Sequence, residues 1–388
     1  MDRSTLDAIV REVEGYIEND TTRLWAREAP QAASNYADPA WLEKEQRVLR
    51  SHPVIVGHSS KIKSRGDFFT HDATGLPIIV VRQEDGSVRA LLNVCSHRGA
   101  RVCTKPEGNR RVFVCPYHAW TYRIDGALRG LPREEGFPNL DKSQYGLQEL
   151  PVEERHGFIW VLPTPGATID VAAHLGTLDA ELAHYGAAGM VLEREEQLSA
   201  QMNWKFVLDG FLETYHFSAL HSKTIAPYFY GNYSPFESFG IHGRMVGVRA
   251  SFEKLLGKPK DDIATEELIK HFAINYFIFP NTILVWQGDH FESWTAFPGE
   301  RPDQCVAHAQ SVTSVAMAQP EYKEKWSRNW KIMTGTVVEE DWAVSTSIQQ
   351  SVHVMRRNEI IFGRNEPGLQ HFHGQLARQI GEESPDSV

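Results

Sequence analysis

What most limits the fold of this chain is a pair of short motifs, Cys95-x-His97 and Cys115-x-x-His118, with seventeen residues between His97 and Cys115. Each follows a predicted strand, VRALLNV (88–94) and RVFV (111–114), so two tight loops are expected to face one another on a small β framework. Two thiolates and two imidazoles suit either a single tetrahedral zinc or a [2Fe–2S] cluster in which one iron takes both cysteines and the other both histidines. Zinc fingers usually group Cys with Cys and His with His. Here each loop supplies one of each, which lets a single loop reach both irons, and the interleaved order favours the cluster. The bland alternative is two buried cysteines and two satisfied histidines, which four ligands at this spacing argue against. Only four cysteines are present, two of them in the motifs, so no disulfide framework is expected and Cys103 and Cys305 are read as ordinary thiols.

Around this nucleus the texture is β-rich. PIIVV (77–81), the Asp85-Gly86 turn, the two strands above, the Asp125-Gly126 turn and HGFIWVLP (156–163) describe a small antiparallel domain, with Pro163, Pro165 and Gly166 marking its end. Before it, Leu6, Ile9, Val10, Val13, Tyr16 and Ile17 repeat at helical spacing, predicting an amphipathic helix over 5–18. After it, 203–222 reads as a helix, YFIFPNTILVW (276–286) as two strands broken at Pro280-Asn281, and 321–350 as mainly helical. The expected segments are 1–45, a helical piece packing on the second domain; 46–163, the β-rich domain; and 164–388, the second domain. No internal repeat or low-complexity tract interrupts them. The formal net charge of -10, from 40 Lys+Arg against 50 Asp+Glu, argues against a nucleic-acid binder that works by neutralising phosphates. The start of the chain lacks the form of a signal peptide, and no run approaches the roughly 18 apolar residues of a membrane span, so a cytoplasmic protein with no membrane partner is expected.

A second constellation lies in NWKFVLDGFLETYHFSALH (203–221). On an ideal helix Asp209, Glu213 and His216 share a face. His221, five residues after His216, falls about 140° away on a regular helix, so a wide or broken turn is required before both imidazoles can meet one metal. Taken alone, the two histidines would more simply be side chains of a partly buried helix. An O2-activating ferrous site uses two histidines and one carboxylate, leaving other positions open.

The run from Cys95 to Tyr122, with its HRG and CPYH-x-W-x-Y elements, resembles the signature of the Rieske non-haem iron oxygenases, the α-subunits of ring-hydroxylating systems. Ala119 stands where that family usually has Gly. The resemblance extends over about 40–350, through N-W-K, E/D-x-Y-H-x4-H and an acidic helix ending in Gln, matched here by VVEEDWAVSTSIQQ (337–350). It implies an α+β protein, a β-rich Rieske domain plus a helix-grip catalytic domain with a large antiparallel sheet, holding a [2Fe–2S] cluster on Cys95, His97, Cys115 and His118. It implies a mononuclear non-haem Fe(II) on His216, His221 and Asp341, with Glu340 as the runner-up carboxylate and a solvated acidic face as the plainer reading. Glu213 takes the place of the family's acid, usually Asp, that links a cluster histidine of one subunit to an iron histidine of the next. Asp209 and Tyr215 offer other routes, and Glu213 could instead simply orient Tyr215 or a lysine.

The implied activity is that of a terminal oxygenase, using O2 and electrons from a ferredoxin or flavin reductase to hydroxylate, dihydroxylate or oxidatively demethylate a small, aromatic substrate, in a head-to-tail homotrimer. A quaternary amine is the alternative substrate. A non-catalytic Rieske electron-transfer protein and a colourless zinc module are the rivals from other classes. The aromatic-rich IAPYFYGNYSPF (225–236) suits a loop over an apolar pocket or, equally, core packing. Arg98, Arg101, Lys105, Arg110 and Arg111 could steer an acidic ferredoxin, although a solvated surface is the commoner meaning of such a run.

Overall fold

A computed structural model of the chain describes residues 1–381; residues 382–388 of the expected segment 164–388 lie outside the described residues. Two compact units emerge, Leu49–His174 and a second made of Met1–Val48 together with Leu175 onward.

The β-branched run at 78–81 is buried on both faces, which is why it forms an interior strand. In the first unit this strand, Ile78–Arg82, sits third in a five-stranded sheet ordered Glu149–Leu150, Val88–Leu92, Ile78–Arg82, Asp67–His71 and Glu107–Asn109. Val112–Val114, Thr121–Arg123 and Leu128–Gly130 form a smaller antiparallel sheet. Both Asp-Gly turns are present: Gly86 and Gly126 take φ of 84° and 88°, and Asp85 Oδ1 accepts from the Ser87 amide at 3.0 Å. Val152–Arg155, Phe158–Val161 and Val54–His58 make a third sheet.

The second unit is built on a seven-stranded antiparallel sheet, ordered Met190–Ala200, Cys305–Ser314, His290–Pro298, Thr282–Trp286, Phe272–Ile278, His242–Val248 and Phe236–Phe239. Its core gathers Trp204, Leu208, Leu212, Phe277, Trp294 and Phe372, all buried. The break expected at Pro280-Asn281 separates Phe272–Ile278 from Thr282–Trp286, and the Phe279–Pro280 peptide is cis. The first helix spans Arg3–Glu18, capped where Asp2 accepts from the Thr5 amide, and buries Leu6, Ile9, Val10 and Val13. No helix among the described residues is long and apolar enough to cross a membrane.

Two expected helices are not continuous. Residues 203–222 form a short helix, Lys205–Asp209, then turns, then a second short helix, Phe217–Leu220. The break follows from hydrogen bonding: the Phe211 carbonyl accepts from Asn275 Nδ2 at 2.9 Å, a side chain of the sheet, where an unbroken helix would offer it an amide four residues on. Asp209 and His216 therefore do not share a helix face. Residues 323–351 form Lys323–Thr334, a π-helical stretch Gly335–Asp341, and Trp342–Ser351. Thr334 Oγ1 donates to the Trp330 carbonyl at 2.8 Å just before the change, a local bond that competes with the helical ladder.

Candidate cluster and metal sites

The two cysteine–histidine loops are locked by their own backbones. The Cys95 amide donates to the Ala100 carbonyl at 2.8 Å, the Gly99 amide to the Cys95 carbonyl at 2.9 Å, the Cys115 amide to the Trp120 carbonyl at 2.9 Å and the Ala119 amide to the Cys115 carbonyl at 3.0 Å. Closing them this tightly puts Gly99 at φ 77° and Ala119 at φ 58°. That left-handed conformation is where the family's glycine would cost nothing and where alanine carries strain of about 1 kcal/mol.

Aromatic rings fix the imidazoles. His97 stacks on buried Trp120 with centroids 4.8 Å apart and planes 3° apart, His118 stacks on Tyr117 at 3.8 Å, and the two imidazoles lie edge to face at 4.6 Å. Tyr122 hydroxyl meets Cys95 Sγ at 3.1 Å and accepts from the Ser96 amide at 3.1 Å. Both cysteines are buried and free of disulfides, and His118 Nδ1 is buried with no hydrogen-bond partner. An orphaned buried nitrogen beside two buried thiols is what a bound cluster would satisfy. Burial also raises the Cys115 thiol above its usual value, and a bound cation would favour its thiolate. These residues fit a [2Fe–2S] group.

At the second site, the break before His216 and the short helix after it bring together two nitrogens that a regular helix would separate. His216 Nε2 and His221 Nε2 lie 3.1 Å apart, and Asp341 Oδ1 is 3.0 Å from the latter and 3.5 Å from the former. The three ligand atoms fall within 4.8 Å of one another, the spacing expected around one ion. Asp341 reaches them from the end of the π-helical stretch, a distortion common at functional sites.

Each histidine is oriented from behind. His216 Nδ1 bonds Glu213 Oε1, whose other oxygen accepts from the His216 amide at 3.1 Å, and His221 Nδ1 bonds Glu340 Oε2 at 2.5 Å. Glu340 also accepts from Thr224 Oγ1 at 2.9 Å. Glu340, the runner-up ligand in the sequence, thus sits behind an imidazole, and Asp341 sits in front. Burial works to lower the pKa of His221, but Asp341 and Glu340 outweigh it and the net shift is upward. A cation at this point would replace the proton.

Asp209 is not brought to this cluster. Its Oδ2 accepts from Tyr36 hydroxyl at 2.9 Å and its Oδ1 meets His373 Nε2 at 2.9 Å. Asn203, Trp204 and Lys205 act as anchors. Asn203 Oδ1 accepts from the Lys205 amide at 3.1 Å, and its own amide donates to Gln349 Oε1 at 2.9 Å, tying the histidine segment to the helix that follows Asp341. Trp204 Nε1 and Lys205 Nζ both reach Glu45, at 2.7 and 2.5 Å, in a pair that is 1% and 0% exposed for Lys205 and Glu45. Burial lowers the Lys205 pKa even with Glu45 beside it. Tyr36, Glu45 and His373 were not legible as parts of the site; nothing in their neighbourhoods forms a spaced motif.

Beside the site lies a cavity of about 760 Å³. Phe211, Phe217, Met333 and Val337 line it near the histidine segment, and Ile225, Tyr228 and Phe229 bring the aromatic-rich loop into its wall. Arg249, Gln287 and Glu292 line it as well.

The ring hydroxylating alpha subunit (catalytic domain) family model matches residues 188–382, half of the chain, and the Rieske [2Fe-2S] domain model matches 52–145. The chain belongs to the ring-hydroxylating oxygenase α-subunit family, with a β-rich Rieske domain and an α+β catalytic domain.

Among curated proteins it is 35% identical over 193 residues to the glycine betaine monooxygenase oxygenase subunit of Chromohalobacter salexigens, covering 49% of this chain and 42% of that one. It is 34% identical over 191 residues to biphenyl 2,3-dioxygenase subunit alpha of Rhodococcus jostii, covering 47% and 41%. These matches span less than half of either relative's own length. The fold also matches the quaternary ammonium Rieske monooxygenase CntA in complex with L-carnitine, with TM-score 0.76, 20% identity and coverage of 90% of this chain and 94% of that one. Naphthalene 1,2-dioxygenase from Rhodococcus sp. matches with TM-score 0.76 and 20% identity, covering 99% of this chain and all of that one.

Proposed function

We propose that this chain is the terminal oxygenase of a Rieske system, with a [2Fe–2S] cluster on Cys95, His97, Cys115 and His118 and a mononuclear ferrous iron on His216, His221 and Asp341. The observation that carries the reading is the convergence of His216, His221 and Asp341 within 4.8 Å in a chain that also presents the paired cysteine–histidine loops. When bound, the two groups supply electron transfer and O2 activation. The protein supplies the arrangement. Glu213 and Glu340 hold the Nδ1 atoms of the two histidines, so both Nε2 atoms face the same point. Glu340 stays out of the ligand set because its carboxylate is engaged by His221 and Thr224. Phe211 and Phe217, on either side of the break before His216, offer apolar walls to a substrate in the cavity.

On this reading O2 and reductase electrons hydroxylate, dihydroxylate or oxidatively demethylate a small organic molecule. Segment 1–45 belongs with the catalytic domain, a reading supported by the Glu45–Lys205 pair. Arg98, Arg101, Lys105, Arg110 and Arg111, all exposed, are the surface offered to a ferredoxin or flavin reductase. Glu213 is assigned the link to a neighbouring copy in a homotrimer, in the cytoplasm. Iron analysis of the purified protein tests the core of the proposal. Three irons per chain are expected, two in the cluster and one mononuclear. Two irons would support an electron-transfer protein, and zinc without visible absorption an interaction module. Substrate class follows from NAD(P)H and O2 uptake with a surrogate reductase and a panel of aromatic acids, phenolic ethers and quaternary amines.

A further inference from the structure

Arg249 is a guanidinium in the cavity wall without a carboxylate partner. Two residues beyond Gly247, it donates from Nη2 to Gln287 Oε1 at 2.5 Å and to the Gln287 carbonyl at 3.4 Å, and from Nε to the Phe272 carbonyl at 3.4 Å. Its Nη1 donates to nothing among the described residues, and no acid there forms an ion pair with it. The nearby acids are otherwise engaged: Asp289 pairs with Lys325 and His290, while Glu292 accepts from Gln287 Nε2 at 3.1 Å and faces His290 at 3.6 Å. Burial pulls the Arg249 pKa down, against the raising fields of Glu292 and Asp289. A half-buried, unpaired cation is costly to keep unless something anionic joins it.

The strand register places Arg249 beyond the point where the sheet meets the histidine segment. Asn275, bonded to the Phe211 carbonyl in the segment leading to His216, is two residues along its strand from Ala273, which faces Gly247. Arg249 lies two residues further on. Gly247 and Ala273 are the small residues between these two positions, and the Phe229 ring packs over Gly247, where a Cβ would meet it at 3.3 Å. The Phe229 ring also carries the guanidinium, 5.4 Å from its centroid, so that face is already taken by a cation.

Resting on the oxygenase reading above, we infer that the substrate carries a carboxylate, received by Arg249 Nη1, with its oxidisable carbon pointing past Gly247 and Ala273 toward His216, His221 and Asp341. A betaine-like zwitterion satisfies the same anchor, as does an aromatic acid. Gln287 is a positioning residue, holding the guanidinium plane.

The test is calorimetric titration of the iron-loaded full chain with matched pairs: benzoate and benzamide, phenylacetate and phenylacetamide, glycine betaine and choline. At least one carboxylate should bind about 10-fold or more tightly than its partner, and R249M should weaken that carboxylate about 100-fold while moving the partner by no more than about 3-fold. R249K, keeping the charge without the planar fork, should retain part of the preference. The inference is overturned if no carboxylate outbinds its partner or if R249M keeps the preference. Iron content and O2 uptake are read separately: their loss with the preference intact strikes only the oxygenase reading.

Discussion

The two sites are held by opposite means. At the cluster loops the imidazoles are fixed by rings, Trp120 and Tyr117, and the thiols by backbone amides and the Tyr122 hydroxyl. At the iron site the imidazoles are fixed by acids, Glu213 and Glu340, with a third acid, Asp341, in front. A seat of rings orients the imidazoles without adding charge, even where, as at Tyr117, it is open to solvent. A seat of three carboxylates draws in a cation and fixes which nitrogen of each histidine faces it. Damage to one site should therefore appear in a different observable from damage to the other.

The largest effect is expected at the cluster. His118→Ala should abolish the visible and reduced-state magnetic spectrum of the Rieske centre together with turnover, since no neighbour can supply the lost imidazole. An unchanged spectrum would break the comparison at its root. Asp341→Ala should remove mononuclear iron and turnover while leaving that spectrum intact; surviving activity would move the carboxylate role to Glu340. Glu213→Gln should retain both metals, because neither set of ligands changes, yet slow cluster oxidation in single turnover by on the order of 100-fold or more. Near wild-type oxidation would reduce Glu213 to a structural acid. Glu340→Gln should weaken iron binding by about 10- to 100-fold without abolishing it, measured by chelator competition, and sharpens the distinction between ligand and orienting acid. The smallest effect belongs to Ala119→Gly. It should stabilise the cluster-bearing unit by about 1 kcal/mol with no spectral change, seen as a rise of a few degrees in its melting temperature.

The cluster loops could be read because their ligands are local. Cys95 to His118 is one stretch whose strands and turns announce themselves by β-branched runs and Asp-Gly pairs, and the fold adds the stacking of His97 on Trp120 and of His118 on Tyr117 and the Tyr122 hydroxyl at Cys95. The second site resists such reading. His216 and His221 carry a motif, but the break before them depends on Asn275 taking the Phe211 carbonyl, a partner 64 residues away. The choice between Glu340 and Asp341 depends on which acid His221 presents to each of its nitrogens, which three adjacent acids cannot reveal. Asp209 shared an ideal helix face with His216 only while that helix was imagined unbroken; Tyr36 and His373, distant in sequence, claim it instead. Glu45 is one of two acids in the helix Pro39–Ser51 until the fold buries it against Lys205.

The π-helical stretch Gly335–Asp341 has a consequence for anyone who would shorten, lengthen or transplant this chain. Each residue of an α-helix turns the next by about 100°, so a stretch that closes its bonds five residues back instead of four holds one extra residue in its winding. Rewinding the same seven residues as a plain α-helix would carry Asp341 about a quarter turn further round, out of line with His221. Composition would not change, and a substitution scan would never sample the lesion. The spacing of this helix is therefore a tighter constraint on descendants of the sequence than the identity of most residues within it, and a redesigned straight helix carrying the same letters would present its carboxylate to the wrong neighbour.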